Sequence, residues 1–368
     1  MSNKNLTILG IAAVLMASWA IVQSKIAGKA IKPTPKIATY LIQGLEPAAI
    51  ASIIVGTDPN SVKLNRVEKS FVVANLDNYP AEMKVVNDLI TNILDMKTLD
   101  IITSNPDNFT ELQVADNKYR SLVKFFDKDG KLIAGVIAGK RATNIGGTYV
   151  RMVGSNDVYT VERINYAYDS AMQYVKKTIL ELKEDDIASV FVTDPNGSYT
   201  LNRDPAGGEI VLSGIKQGQK GKPEECKQIF GALENLSFES VMNESSVPKN
   251  IIFDRTYSCM LKDSTIYALS FAKSDGKTLA RCRAEFSDTN DVVKENKVES
   301  KEELKRKEAK LLGKDNVDKF NKNHLGWVYT ITPWRAEALT KKLADLVVED
   351  STRKVNVDTQ SVEEVFKK

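Results

Sequence analysis

IASIIVGTDPNSVKLNR, from Ile50 to Arg66, and IASVFVTDPNGSYTLNR, from Ile187 to Arg203, are one stretch written twice. Both open on Ile-Ala-Ser, turn on Thr-Asp-Pro-Asn and close on Leu-Asn-Arg, with a single-residue gap on each side. Background usage would give roughly one identity in a window of this size. The match therefore reads as a tandem duplication. Each copy places β-branched and apolar runs on either side of turn chemistry: proline presets φ, while aspartate and asparagine bond their own backbone.

Outward from this pair, the two halves repeat an order of elements. In the first, Phe71 to Ala74 reads as a strand and Ala81 to Met96 as a helix, with Val85, Leu89, Ile93 and Met96 at spacings of three and four. Tyr119 to Phe126 and Leu132 to Ala138 flank Asp127-Lys128-Asp129-Gly130-Lys131, a hairpin signal. Strands Tyr149 to Val153 and Val158 to Val161 follow, and the period predicts a closing helix from Tyr168 to Leu182.

The second half gives a helix from Pro223 to Leu236, strands at Thr256–Leu261, Ile266–Ala272 and Thr278–Phe286, then Val328–Ile331. A closing helix from Arg335 to Val347 matches the one before it, and lysine pairs recur at Lys176-Lys177 and Lys341-Lys342. The halves differ at 287–323, a charged insertion present in the second alone. There Ser300-Lys301-Glu302-Glu303 is a capping-box start, and Glu302–Arg306 and Glu303–Lys307 are opposite-charge pairs at i,i+4. The insertion reads as a solvated helix or as an arm that docks a partner.

The expected fold class is α+β: two tandem modules of mainly antiparallel sheet with packed helices, behind an N-terminal membrane helix. The divisions are an anchor or signal segment at 1–24, a linker at 25–47, repeat 1 at 48–183, repeat 2 at 184–350 and a tail at 351–368. Leu6 to Gln23 carries no charge, at the lower length limit for a spanning helix. No clear small-residue cleavage site follows it, which favours a retained anchor. Four lysines on its C-terminal flank would hold the body in the cytoplasm by the positive-inside rule, yet large domains translocate regardless.

Composition excludes more than it selects. Hydrophobic residues make 42% and charged residues 27% of 368, the proportions of a folded globular chain. Lysine and arginine number 51 against 48 acidic residues, a net charge of +3, which gives no field for nucleic acid. His324 is the lone histidine, and there is no CxxC, so neither a zinc site nor any cofactor is expected. Cys259 and Cys282 fall on neighbouring predicted strands and could pair in an oxidising compartment; otherwise they and Cys226 read as small buried hydrophobes.

The polar residues that draw the eye have plain readings. Gly218-Gln219-Lys220-Gly221-Lys222 lacks the spacing of a phosphate loop. Asp127 and Asp129 lack the further oxygen ligands of a calcium loop. Asp58 and Asp194 are duplicated, which argues for turns, and Arg66 and Arg203 for pairing with local carboxylates or strand ends. Trp327 and Trp334 read as core or rim packing. No catalytic, cofactor-binding or metal residue is expected.

One run does resemble a family. Ala138 to Val161, AGKRATNIGGTYVRMVGSNDVYTV, is similar to the bacterial domain of unknown function 4340 family at Gly139, Gly147, Tyr149, Val150, Arg151, Val158 and Tyr159. The second half keeps only Gly326-Trp327-Val328-Tyr329 of this pattern. The resemblance implies a membrane-anchored, non-enzymatic accessory or binding protein with an exported, periplasm-facing body, of a kind encoded beside ABC transporters of the gliding-motility type. The expected partners are the membrane, through 6–23, and envelope or transporter proteins, through 287–323. A structural subunit of a large membrane complex is one alternative. An envelope hydrolase with paired carboxylates between the repeats is the other.

Overall fold

The structure, a computed structural model, describes residues 16–19, 38–143, 146–162, 164–204, 208–288 and 300–349. The segment Leu6–Gln23 lies outside these apart from 16–19, which are helical. No helix among the described residues is long and apolar enough to cross a membrane. The tail at 351–368 also lies outside.

The chain begins with strands β1 (Thr39–Tyr40), β2 (Ser52–Val55), β3 (Val62–Val67), β4 (Ser70–Val73) and β5 (Tyr79–Pro80). Helix α1 (Met83–Leu94) follows, burying Val86, Leu89, Ile90 and Ile93 along one stripe with Val85 half-buried at its margin. Next come β6 (Lys97–Thr103), the single turn α2 (Phe109–Leu112) and the small hairpin β7 (Val114–Ala115) and β8 (Lys118–Tyr119). Strands β9 (Ser121–Phe126), β10 (Leu132–Arg141), β11 (Thr148–Met152) and β12 (Val158–Val161) complete this part.

Beyond it lie β13 (Thr178–Leu180), β14 (Ile187–Asp194), β15 (Gly197–Arg203), β16 (Ile210–Ser213) and β17 (Gln219–Gly221). Helix α3 (Pro223–Phe230) leads to β18 (Leu236–Asn243), β19 (Arg255–Leu261), β20 (Thr265–Ser274) and β21 (Lys277–Phe286). The chain closes with α4 (Lys301–His324), β22 (Trp327–Ile331), α5 (Pro333–Leu339), α6 (Leu343–Leu346) and β23 (Val347–Glu349). It is a mixed helix-and-sheet protein whose strands pair antiparallel.

Two compact units interleave along the chain and cut across the sequence boundary at Lys183–Glu184. The first takes 1–46, 90–122 and 134–166. It holds the strand order β1-β6-β12-β11-β10. Its core joins Phe109, Leu112, Val114, Leu122, Ile137 and Val158, with Tyr149 and Val153 packed against them. The second unit takes 47–89, 123–133 and 167–368. It holds the run β9-β2-β3-β4-β5 and a nine-stranded sheet, β13-β18-β22-β21-β20-β19-β14-β15-β16. Ile53, Leu64 and Phe71 fill the first of these; Tyr257, Leu269, Phe271 and Tyr329 fill the second.

Three predicted helices come out differently. Tyr168–Leu182 is a 3-10 turn at Ala171–Gln173 followed by β13. Burial falls on the neighbours Tyr174 and Val175, then Ile179 and Leu180, and backbone bonding takes the segment out of a helix: the Tyr174 carbonyl accepts from the Glu82 amide at 2.7 Å, while Thr178 and Leu180 register against Ser237 and Leu236. The closing helix Arg335–Val347 stops at Thr340, whose hydroxyl bonds back to the Ala336 carbonyl at 2.7 Å. Lys342 is then extended, and after the one-turn α6 the chain pairs with β17. The third helix, Pro223–Leu236, ends at Phe230 with Gly231 as its cap, and Leu236 already belongs to β18.

Candidate functional site

The Gly147-Thr148-Tyr149-Val150-Arg151 run of the first unit is built around one guanidinium. Arg151, on β11, is buried; its Nε donates to the Val114 carbonyl at 2.8 Å and its Nη1 to the Ser155 carbonyl at 2.9 Å. The Phe109 ring lies 4.4 Å from the guanidinium carbon, and Asp116 completes an ion pair at 3.1 Å, without the alignment of a hydrogen bond. Thus β11 holds α2 and the β7–β8 hairpin against its own face. Gly139, on β10, makes the same contact possible from the other side. A Cβ there would run into the Leu112 carbonyl oxygen and stand 2.7 Å from Val114 Cγ1. Gly147 has φ +84°, and a Cβ would strike the Val161 carbonyl oxygen. These residues position backbone: Nε and Nη1 of the arginine are spent on carbonyls, and Nη2 faces Asp116 in the ion pair.

The duplicated stretch does likewise in the second unit. Arg66 donates from Nε to the Ile50 carbonyl at 2.6 Å and from Nη2 to the Pro47 carbonyl at 2.8 Å. Arg203 donates from Nη2 to the Glu184 carbonyl at 2.9 Å, with the Glu184 carboxylate at 3.2 Å. Pro47 and Glu184 each open a 3-10 turn, and each arginine pins that turn to the end of its strand. The acids of the motif serve turns as expected. Asp58 accepts from the Ser61 hydroxyl at 2.6 Å and pairs with Lys63 at 3.1 Å; Asp194 accepts from the Asn196 amide at 2.6 Å. Those contacts, the Ser61 hydroxyl first, lower the Asp58 pKa.

The histidine that the sequence offered as an isolated curiosity sits in a buried chain of hydroxyls and rings. Nδ1 of His324 lies 2.7 Å from the Tyr329 hydroxyl, which lies 3.5 Å from that of Tyr79. The Phe320 ring lies tilted against the imidazole with centroids 4.4 Å apart, and Trp327 meets Tyr79 edge-on at 4.8 Å. Burial, aided by the charge of Lys176, pulls the imidazole down to about 4, and burial pushes the Tyr329 phenol up. Among the described residues, no three His, Cys, Asp or Glu side chains converge to hold a metal. A cavity of about 400 Å³ lined by Glu82, Lys176, Lys319 and His324 opens beside the network.

His324 closes α4, the helix of the insertion. Its predicted capping box is present: the Ser300 hydroxyl accepts from the Glu303 amide at 3.2 Å, and the Glu303 carboxylate accepts from the Ser300 amide at 2.8 Å. The side chains of Glu302 and Arg306 lie outside the described set. One face of α4 returns to its own sheet through Gly313, Val317, Phe320 and His324, with Gly313 against the Phe286 ring. The opposite face presents Leu304, Leu311 and Leu312, more than half exposed, at the i, i+7, i+8 spacing of one helical side.

The remaining candidates resolve simply. Cys226, Cys259 and Cys282 are free and buried. Cys259 and Cys282 are not on neighbouring strands: β20 runs between theirs, with Tyr267 opposite one and Leu269 opposite the other. Burial raises the Cys259 thiol to about 12. The Asp127 carboxylate closes its hairpin by accepting from the amides of Asp129 and Lys131, both at 2.9 Å. The Gly218–Lys222 run forms β17 rather than a free loop. Trp334 is exposed, with the Arg335 guanidinium 4.3 Å from its ring. What sequence reasoning missed is a cleft of the second unit walled by Lys222 and Glu225 at one end of α3 and by Lys341 and Lys342 after α5. The recurring lysine pair was its single outward sign.

A family model described as "Domain of unknown function (DUF4340)" matches residues 72–255, from β4 to the first residue of β19, half of the chain. No curated protein and no solved structure matches.

Proposed function

The chain belongs to the DUF4340 family, and from that premise we propose that it is a non-enzymatic interaction protein: two copies of one module, held at the cytoplasmic membrane by residues 6–23 with the body facing the periplasm, serving a transporter or another envelope assembly. Three correspondences support the duplication. The strand order β6-β12-β11-β10 has its counterpart in β18-β22-β21-β20, and β9-β2-β3-β4 in β19-β14-β15-β16. Ile50 and Ile187 are both fully buried at the start of their hairpins. Arg66 and Arg203 make the same carbonyl contact with the turn before them.

The observation that carries the interaction reading is the two-sided helix α4. It belongs to the second copy alone, its inner side is satisfied by its own sheet, and its outer side shows Leu304, Leu311 and Leu312 among charged residues. An apolar strip on a polar helix is a contact surface for another protein. The test is co-purification of the full chain after mild detergent extraction. A stable complex is expected, and substituting L311K together with L312K should abolish it. A protein that runs as a partner-free monomer before substitution, or a complex indifferent to it, would sink the proposal.

A further inference from the structure

We propose that the cleft between the β20–β21 hairpin end and the segments around α3, α5 and α6 binds an anion carrying two or more negative charges. The cleft encloses about 850 Å³ and lies within the second unit. Its volume is within the ~300–1,000 Å³ usual for small-molecule sites.

The lining carries unmatched positive charge. Lys273 and Lys277 come from the hairpin, Lys342 from the turn after α5, and Arg255 from the start of β19; all four line the cleft. Arg255 spends one donor on the Thr340 carbonyl at 3.3 Å and holds Asp254 only at 3.9 Å. Among the described residues the ammonium groups of Lys273, Lys277 and Lys342 make no hydrogen bond or ion pair, and all three residues are exposed. The two other lysines of the cleft are committed to its walls. Lys341 is paired with Glu225, and Lys222 donates to the Asp345 carbonyl at 2.7 Å.

Glu239, Glu337 and Asp345 also line the cleft, so six cations stand against four carboxylates with Glu225 included, an excess of two. Like charges that line one cleft repel one another, and a ligand that brings at least two negative charges offsets that repulsion. A monovalent anion leaves half of the excess in place. The chemistry is shared by compact phosphate esters and by polycarboxylates.

Calorimetric titration of the full chain in detergent at low salt decides the matter, with tripolyphosphate and citrate as polyvalent probes and acetate as the monovalent one. One or both polyvalent probes should bind and acetate should not; the tighter probe identifies phosphate or carboxylate as the source. Replacing the free lysines together, as K273Q, K277Q and K342Q, should weaken binding by about tenfold or more. The control substitutions K118Q, K128Q and K131Q, exposed lysines outside the cleft, should leave it unchanged. Equal affinity in the cleft variant and the control, acetate binding as tightly as the polyvalent probes, or no heat from either polyvalent probe would overturn the proposal.

Discussion

Nδ1 of His324 and the hydroxyl oxygen of Tyr329 lie 2.7 Å apart in a buried pocket, so the last residue of the α4 helix is joined to the middle of strand β22 by one neutral hydrogen bond. Burial pulls the imidazole from its ordinary 6.5 to about 4. The unfolded chain then takes up a proton before the folded chain does. Stability from this group is complete above about pH 6.5 and is lost as pH falls towards 4, by on the order of 3 kcal/mol. Urea unfolding at pH 7.0 and 5.0 should show a fall that His324→Phe largely removes. An unchanged fall in that variant would contradict the assignment.

Arg66 and Arg203 hold equivalent turns, but among the described residues only Arg203 also meets a carboxylate, Glu184 at 3.2 Å. Replacing either by Met should cost about 1–3 kcal/mol, from the lost donors and the carbonyls left without them. The sites share no partner, so the double variant should show the sum. Raising salt should shrink the effect at Arg203 and leave that at Arg66 in place, because ionic strength screens only the charged pair. Denaturant midpoints of the single and double variants at two salt concentrations check all three statements.

Those arginines also mark where the sequence was legible. A duplicated hairpin with proline and asparagine at its turn, the Asp127–Lys131 turn and the Ser300 capping box are local chemistry, and each formed where its residues stand. The period over Tyr168–Leu182 misled because the segment's backbone is taken by partners distant in sequence, Glu82 at Tyr174 and β18 at Thr178 and Leu180, which no local spacing reports. Strand β18 was hidden for a related reason: it leaves α3 after a short turn with no proline to mark the boundary, so its leading Leu236 read as the helix's last apolar residue. The anion cleft draws Lys222 and Lys342 together across 120 positions, and the sequence showed only a repeated lysine pair.

Gly139 is required for space, not for its backbone angle. Gly139→Ala would push a methyl into the Leu112 carbonyl and the Val114 side chain, loosening the hairpin that Arg151 grips. A loss of about 2–4 kcal/mol is expected, since backbone on the facing segment must move. Gly146→Ala is the matched comparison: φ is +75° with nothing within 4 Å, and a cost of about 1 kcal/mol follows from the angle alone. Thermal midpoints of the two variants should separate clearly, and equal shifts would mean that the segment yields without strain.

Asn321 closes an edge that the sheet leaves open. Strand β22 registers with β21 only over Thr278–Ala280, so beyond that point no strand among the described residues pairs with β21 on this side. At Ala284 the side chain of Asn321 takes the place of a strand: its oxygen accepts from the Ala284 amide at 2.8 Å and its nitrogen donates to the Ala284 carbonyl at 2.8 Å. Asn321→Ala removes both bonds and leaves two backbone groups without partners beneath α4, a loss of about 2 kcal/mol. Asn321→Asp keeps the acceptor but sets a carboxylate against the carbonyl, so it should recover the amide bond alone. Hydrogen exchange at the Ala284 amide should be fastest in the alanine variant and intermediate in the aspartate variant. An Ala284 amide as protected in Asn321→Ala as in the parent would mean that α4 is held to the sheet by its apolar side alone.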